Sequence, residues 1–137
     1  MLKGTGHGVG ALLNVHEVPI VAARKGVEIG VEENMIITIE PGYYQDGHFG
    51  IRIENCNLVV RVNTKNQYDS NVNFVGFEPL TFVPIQREFI DPSLMTLEEK
   101  NWLNSYHKQC ADVVGGELMK ANKIEVFKWL MEQTKPL

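Results

Sequence analysis

The sequence predicts a mixed α/β chain of the α+β kind, with strands through the first two-thirds and helices in the last third. Three observations carry this. Apolar and polar residues alternate with a period of two on either side of a turn-rich loop between Met35 and Asn55. A further β-like run, Leu58 to Val62, is followed after a polar stretch by extended, proline-bearing sequence from Phe74 to Ile85. Beyond Asp91-Pro92 the apolar period changes to three and four, behind the helix-start signal Thr96-Leu-Glu-Glu99.

The opening is glycine-dense: Gly4-Thr-Gly-His7-Gly-Val-Gly10. Such loops usually lie between elements, where the backbone must bend or approach a ligand closely, so the chain reads as if it starts within a domain. One reading is a phosphate cradle, although the Lys-[Ser/Thr] of a P-loop is absent. The other uses His7, since imidazole is a common ligand of first-row metals. His16 follows nine residues later in Asn-Val-His-Glu. Ala11 to Val15 reads as an apolar strand or turn, and Val18-Pro-Ile20 as extended, because the residue before proline avoids the helical region. Gly26 to Val31 reads as a charged surface connection, with Glu28, Glu32 and Glu33 solvated.

Met35 to Asn55 contains two strand-like runs, each ending in a glutamate. Ile37 and Ile39 alternate with Ile36, Thr38 and Glu40; Ile51 and Ile53 alternate with Arg52 and Glu54. Pro41-Gly42 and Asp46-Gly47 mark the connection as turns. A carboxylate at the end of an apolar strand is costly unless paired, hydrogen-bonded or bound to metal. Two of them ask for a shared cation, and Arg52, on the face of Glu54, offers an ion pair instead. A tight hairpin is not expected to set Glu40 opposite Glu54, so a loop or bulge is expected to bring them together.

Pro79 and Pro84 make the Phe74–Ile85 stretch an edge or a bulge. In the helical third, Trp102, Tyr106, Cys110 and Val113 share one face, widened by Leu103 and Val114. Gly115-Gly116 is expected to loosen or end that helix. Ile124, Phe127, Leu130 and Met131 form a second stripe. Packing accounts for Trp102 and Trp129, and His48 and His107 read as surface residues.

Composition bounds the rest. The 137 residues suffice for one ordinary domain, and a net charge of −4 without a basic run argues against nucleic acid. No apolar stretch approaches the ~20 residues of a membrane span, and no signal peptide opens the chain. Cys56 and Cys110 lack metal-ligand spacing and read as free thiols of a reducing compartment; one disulfide between them is the other reading.

Three motifs stand in order: Gly-Thr-Gly-His7-Gly-Val-Gly with Asn-Val-His16-Glu, Ile-Thr-Ile-Glu40-Pro-Gly-Tyr-Tyr, and Gly-Ile-Arg-Ile-Glu54-Asn. Together they resemble the C-terminal half of the catalytic domain of cytosolic Xaa-Pro aminopeptidase (aminopeptidase P), a pita-bread metallopeptidase of family M24. Phe77-Glu-Pro-Leu-Thr-Phe-Val-Pro-Ile and the helical tail resemble that enzyme's C-terminal extension. The resemblance implies a truncated pita-bread portion over residues 1–75 and a mostly helical extension over 76–137. It implies a hydrolase with two metal ions, usually Mn2+, activating a hydroxide against the bond between an N-terminal residue and proline. By position, His7 and Glu40 would bind one metal and Glu54 would bridge both. His16 would contact substrate and stabilise the tetrahedral intermediate, Arg52 would orient the carboxylates, and Tyr43 and Tyr44 would line the site. The implied partners are peptides with proline second and, as the enzymes are commonly dimers, a second copy or a full-length subunit; the implied compartment is the cytoplasm.

The departures from the family pattern are as informative. Two upstream aspartate ligands and an upstream histidine have no counterpart, and Lys3 stands where the family typically carries another histidine. The expectation is therefore a chain that is weakly active or inactive alone and binds at most one metal, weakly. The rivals are a non-catalytic fragment that docks on a full-length subunit, and a plain α+β domain whose glutamates are only ion-paired.

Overall fold

The computed structural model describes residues 4–12, 15–21, 30–65 and 73–137, with 18–21 as backbone. The expectations for Lys3 and Glu28, and most of those for Gly26–Val31 and for the polar loop before Phe74, lie outside these residues. The chain divides into two compact units, Met1–Thr81 and Phe82–Leu137.

The first unit is antiparallel β. Strands β1 (His7–Gly8), β2 (Glu17–Val21), β3 (Ile36–Ile39), β6 (Asn55–Val62) and β7 (Phe74–Pro79) form one sheet in the order β2-β1-β3-β6-β7. Strands β4 (Gly42–Gln45) and β5 (Phe49–Arg52) form a separate ribbon. Pro79 ends β7, which is an edge strand, the first of the two readings the prolines offered.

The two ladders share one register. Ile39 pairs with Asn55 in the sheet and Gly42 with Arg52 in the ribbon. Between them Glu40 therefore stands opposite Glu54, and Pro41 opposite Ile53, whose N–H donates to the Pro41 carbonyl at 3.2 Å. No loop or bulge brings the glutamates together; the hairpin itself does, correcting the expectation. Pro41 has no N–H to give, and the regular ladder breaks at that point. The tip is three residues long, Asp46 to His48, with Gly47 at φ +74°, a conformation glycine adopts without strain.

The burial pattern also differs from simple alternation. Ile37 is buried, yet so are Thr38 and Glu40, while Ile39 is exposed. On the polar face of β3, Thr38 and Glu40 are hydrogen-bonded to one another and meet His7 of the adjacent strand. Among the described residues, Val59 and Asn57 are also buried in this unit.

The second unit is helical. Helix α1 (Leu97–Lys120) starts at a full capping box: Glu99 N–H donates to Thr96 Oγ1 at 3.2 Å, and Thr96 N–H donates to Glu99 Oε2 at 2.8 Å. Its core face is Leu103, Tyr106, His107 and Cys110, packed with Phe82, Ile85, Ile90, Met95 and Leu137. The stripe is rotated from the expected one. Trp102 is 58% exposed and Val113 48%, while His107 is completely buried. His107 Nε2–H donates to the Ile85 carbonyl and the Tyr106 hydroxyl to that of Val83, so extended backbone before the helix receives both polar groups. Trp129, in helix α2 (Ile124–Gln133), is likewise more than half exposed.

Gly115-Gly116 does not end α1. Gly115 is buried mid-helix, where a Cβ would lie 3.2 Å from the Phe127 ring and 3.8 Å from Leu130. The missing side chain lets α2 approach. Leu130 is the buried anchor of α2; of its expected partners, Phe127 is half-buried and Ile124 and Met131 are exposed.

Candidate metal centre

Glu40 is the hub of the site. Its side chain is 10% exposed, and both oxygens are engaged. The Thr38 hydroxyl donates to Oε1 at 3.1 Å, and Arg52 Nη1 meets Oε2 at 2.8 Å. Thr38 and Glu40 lie two apart on one strand face, and Arg52 is diagonal to Glu40 across the hairpin.

His7 enters from the other side of β3. Its N–H donates to Thr38 Oγ1 at 3.0 Å, while Glu40 N–H donates to the Thr5 carbonyl at 2.8 Å and Val9 N–H to that of Ile36 at 3.0 Å. The glycine-rich segment is thus an inner strand of the sheet, between β2 and β3. Its amides at His7 and Val9 are spent on β3, which removes the phosphate-cradle reading.

The His7 ring is oriented at both nitrogens. Nδ1 lies 2.9 Å from the Gly8 carbonyl, which can only accept, so Nδ1 carries the proton and Nε2 presents its lone pair. Nε2 faces Glu40 Oε1 at 3.2 Å. Two acceptors at that distance need a proton or a metal ion between or beside them. Glu54, exposed, completes the group: one ligand atom from each of His7, Glu40 and Glu54 lies within 4.8 Å of the others. Two carboxylates against one guanidinium leave a negative charge that a cation would balance. An imidazole with two carboxylates suits a divalent first-row metal, and a carbonyl behind the imidazole is the usual means of fixing its tautomer. These residues fit a metal ion.

Arg52 serves both the ion-pair reading and the orienting one. Nε donates to the Tyr44 hydroxyl at 2.8 Å while Nη1 holds Glu40. The hydrogen bond to Tyr44, and then Glu40 and Glu54, hold the guanidinium above its ordinary pKa despite desolvation. The Tyr44 ring lies across Gly50 and its hydroxyl over Gly42: a Cβ on Gly50 would meet the ring at 2.7 Å, and one on Gly42 would meet the hydroxyl at 2.5 Å. These glycines make room for the ring that positions Arg52.

His16 is brought to the cluster. Its ring packs edge-on against His7 with centroids 4.4 Å apart, and it stays exposed. Tyr43 is not brought there. It points to the opposite face of the hairpin, 5.8 Å from Phe49 between ring centroids. Thr38 was missed in the sequence. The available signal was a polar residue two before Glu40 in an apolar run. Cys56, opposite Thr38, has its thiol pushed up by burial and by Glu54. Both cysteines are free, as the first reading held.

An antiparallel sheet bearing one histidine and two opposed glutamates, followed by a helical unit, offers the ligand set of a metal-binding class of protein. A model of metallopeptidase family M24 matches residues 1–61, and one of the C-terminal region of peptidase M24 matches residues 73–137. The chain belongs to metallopeptidase family M24. It is 46% identical over 136 residues to Xaa-Pro aminopeptidase app-1 of Caenorhabditis elegans, covering 98% of this chain and 22% of that protein. Identity to Aminopeptidase P1 of Lotus japonicus is 42% over 134 residues, covering 98% of this chain and 20% of that one. The crystal structure of the X-prolyl aminopeptidase of C. elegans, described as a cytosolic enzyme with a di-nuclear active site, matches with a TM-score of 0.88 at 44% identity. That match covers 98% of this chain and 21% of the other. The chain thus spans about a fifth of the length of these relatives. Its fold is the C-terminal half of the pita-bread domain followed by the helical extension. No described helix is long and apolar enough to cross a membrane.

Proposed function

We propose that this chain carries part of the metal centre of a cytosolic Xaa-Pro aminopeptidase, with peptides bearing proline at the second position as substrates. The observation that carries the reading is the convergence of one ligand atom from each of His7, Glu40 and Glu54 within 4.8 Å, with Nδ1 of His7 already turned to a carbonyl. A divalent metal bound there, Mn2+ by this reading, supplies Lewis acidity and lowers the pKa of a water. His7, Glu40 and Glu54 are the residues that would hold the ion, Glu54 from the strand opposite Glu40. Arg52 fixes Glu40 through Oε2 and keeps the carboxylate turned toward His7. His16, exposed beside His7, would hydrogen-bond a substrate carbonyl by this reading. Residues 1–75 supply the site and 76–137 the extension.

The three donors found among the described residues suffice for one ion and not for two. Titration of the chain with Mn2+, followed calorimetrically, is expected to show one weak site that Glu54→Gln abolishes. Two tightly bound ions per chain, or uptake indifferent to Glu54→Gln, would show the reading to be wrong. The chain alone is expected to hydrolyse an Xaa-Pro peptide poorly.

A further inference from the structure

We infer that Thr38 is a positioning residue of the metal centre, its single hydroxyl setting the two ligands His7 and Glu40 relative to one another. The inference rests on the proposed metal-binding function. Thr38 is 2% exposed, so no bulk water competes for its hydroxyl. That hydroxyl has one proton, and the proton goes to Glu40 Oε1 at 3.1 Å. Its oxygen accepts the His7 N–H at 3.0 Å. The two bonds join different segments of chain: β1 carries the imidazole and the end of β3 the carboxylate.

Direction matters here. A hydroxyl that accepts from a backbone amide donates its own proton more strongly, and the recipient is the oxygen that His7 Nε2 faces at 3.2 Å. Arg52 takes the other oxygen. Thr38 and Arg52 thus prevent the carboxylate from rotating, and Thr38 alone ties that rotation to the position of the histidine backbone. Thr38 stands opposite Cys56, whose thiol is too weak a donor to substitute.

The test is Mn2+ affinity of the 137-residue chain, measured by calorimetry beside thermal unfolding. Thr38→Val keeps the shape and removes the hydroxyl. It is expected to weaken Mn2+ binding by about 10-fold or more, the usual effect of losing a hydrogen-bond partner behind a metal ligand. Thr38→Ser restores the hydroxyl and is expected to bind within about twofold of the unsubstituted chain. Thr38→Ala, which relieves any packing conflict, carries the same test should the valine variant fail to fold. Equal affinity in the valine or alanine variant, or a serine variant as weak as they are, overturns the inference while leaving the proposed function standing. No Mn2+ uptake by the unsubstituted chain overturns both.

Discussion

Glu40 is held at each oxygen by a different kind of group, and the stiffer hold is Arg52. Its guanidinium reaches Glu40 through Nη1 and the Tyr44 hydroxyl through Nε. A lysine ammonium is a single point and cannot hold that fork. Arg52→Lys is therefore expected to weaken Mn2+ binding by about 10-fold. Tyr44→Phe removes the hydroxyl that holds Arg52 Nε, so its effect should be coupled to that of Arg52→Lys; a double-mutant cycle on calorimetric affinities reads this, and strictly additive losses would contradict it. His107 makes a different prediction. Burial holds its pKa below the usual 6.5, with Arg87 acting in the same direction and the Ile85 carbonyl opposing. The fold thus keeps His107 neutral, and the unfolded chain takes up the proton first. Its contribution to stability is complete above about pH 6.5 and is lost as pH falls toward the lower, folded value. Asp91 and Glu99 are held below ordinary carboxylate values by Ser93 and Thr96, so their loss comes at more acid pH. Urea unfolding at pH 7.5 and pH 5.5 should show destabilisation that His107→Gln reduces.

At the scale of elements, adjacent glycines in α1 behave oppositely. A Cβ on Gly116 meets nothing within 4 Å, so Gly116→Ala should stabilise by about 0.5–1 kcal/mol through helix propensity alone. Gly115→Val drives a branched side chain into Phe127 and Leu130 and should destabilise by about 1–3 kcal/mol. Thermal unfolding of the two variants checks both signs. The sequence showed this pair only as a helix breaker, because propensity is local and the approach of α2 is not. The same limit rotated the α1 stripe. Trp102 outweighs Leu103 in bulk and His107 counts as polar, yet a carbonyl from the preceding segment makes His107 the better core residue. The capping box, written within four residues, was fully legible. So were the strand character of Ile36–Ile39 and the edge position of β7. The opposition of Glu40 and Glu54 was legible and missed: the two are equidistant from Gly47, the middle of the tip.

At the scale of the molecule, the proposed metal ligands come from three separated stretches, so an ion bound there would couple segments that the sheet alone holds together. Mn2+ at 100 times its dissociation constant should stabilise the unit that carries the ligands by about 2.7 kcal/mol. Hydrogen exchange is expected to slow at residues 5–9, 36–40 and 54–58 when the ion is added. Unchanged exchange there would mean that the three groups do not share an ion. The resemblance to Xaa-Pro aminopeptidase was carried by three motifs whose order and spacing survive in the chain, and the sheet places two of them on opposed strands. What spacing could not convey is the hydroxyl between them, since threonine in a strand is unremarkable until its neighbours are known.

The common register of the two ladders makes the hairpin a ruler. Adding a residue at the tip only lengthens the tip, because the paired positions on either side remain matched. Adding one to a single arm, between Pro41 and Gln45 or between Phe49 and Ile53, would turn one glutamate to the far side of the ribbon. Removing one residue from each arm would leave the carboxylates facing each other across a shorter loop. Length variation in this protein should therefore be tolerated at Asp46–His48 and, along the arms, only in matched pairs.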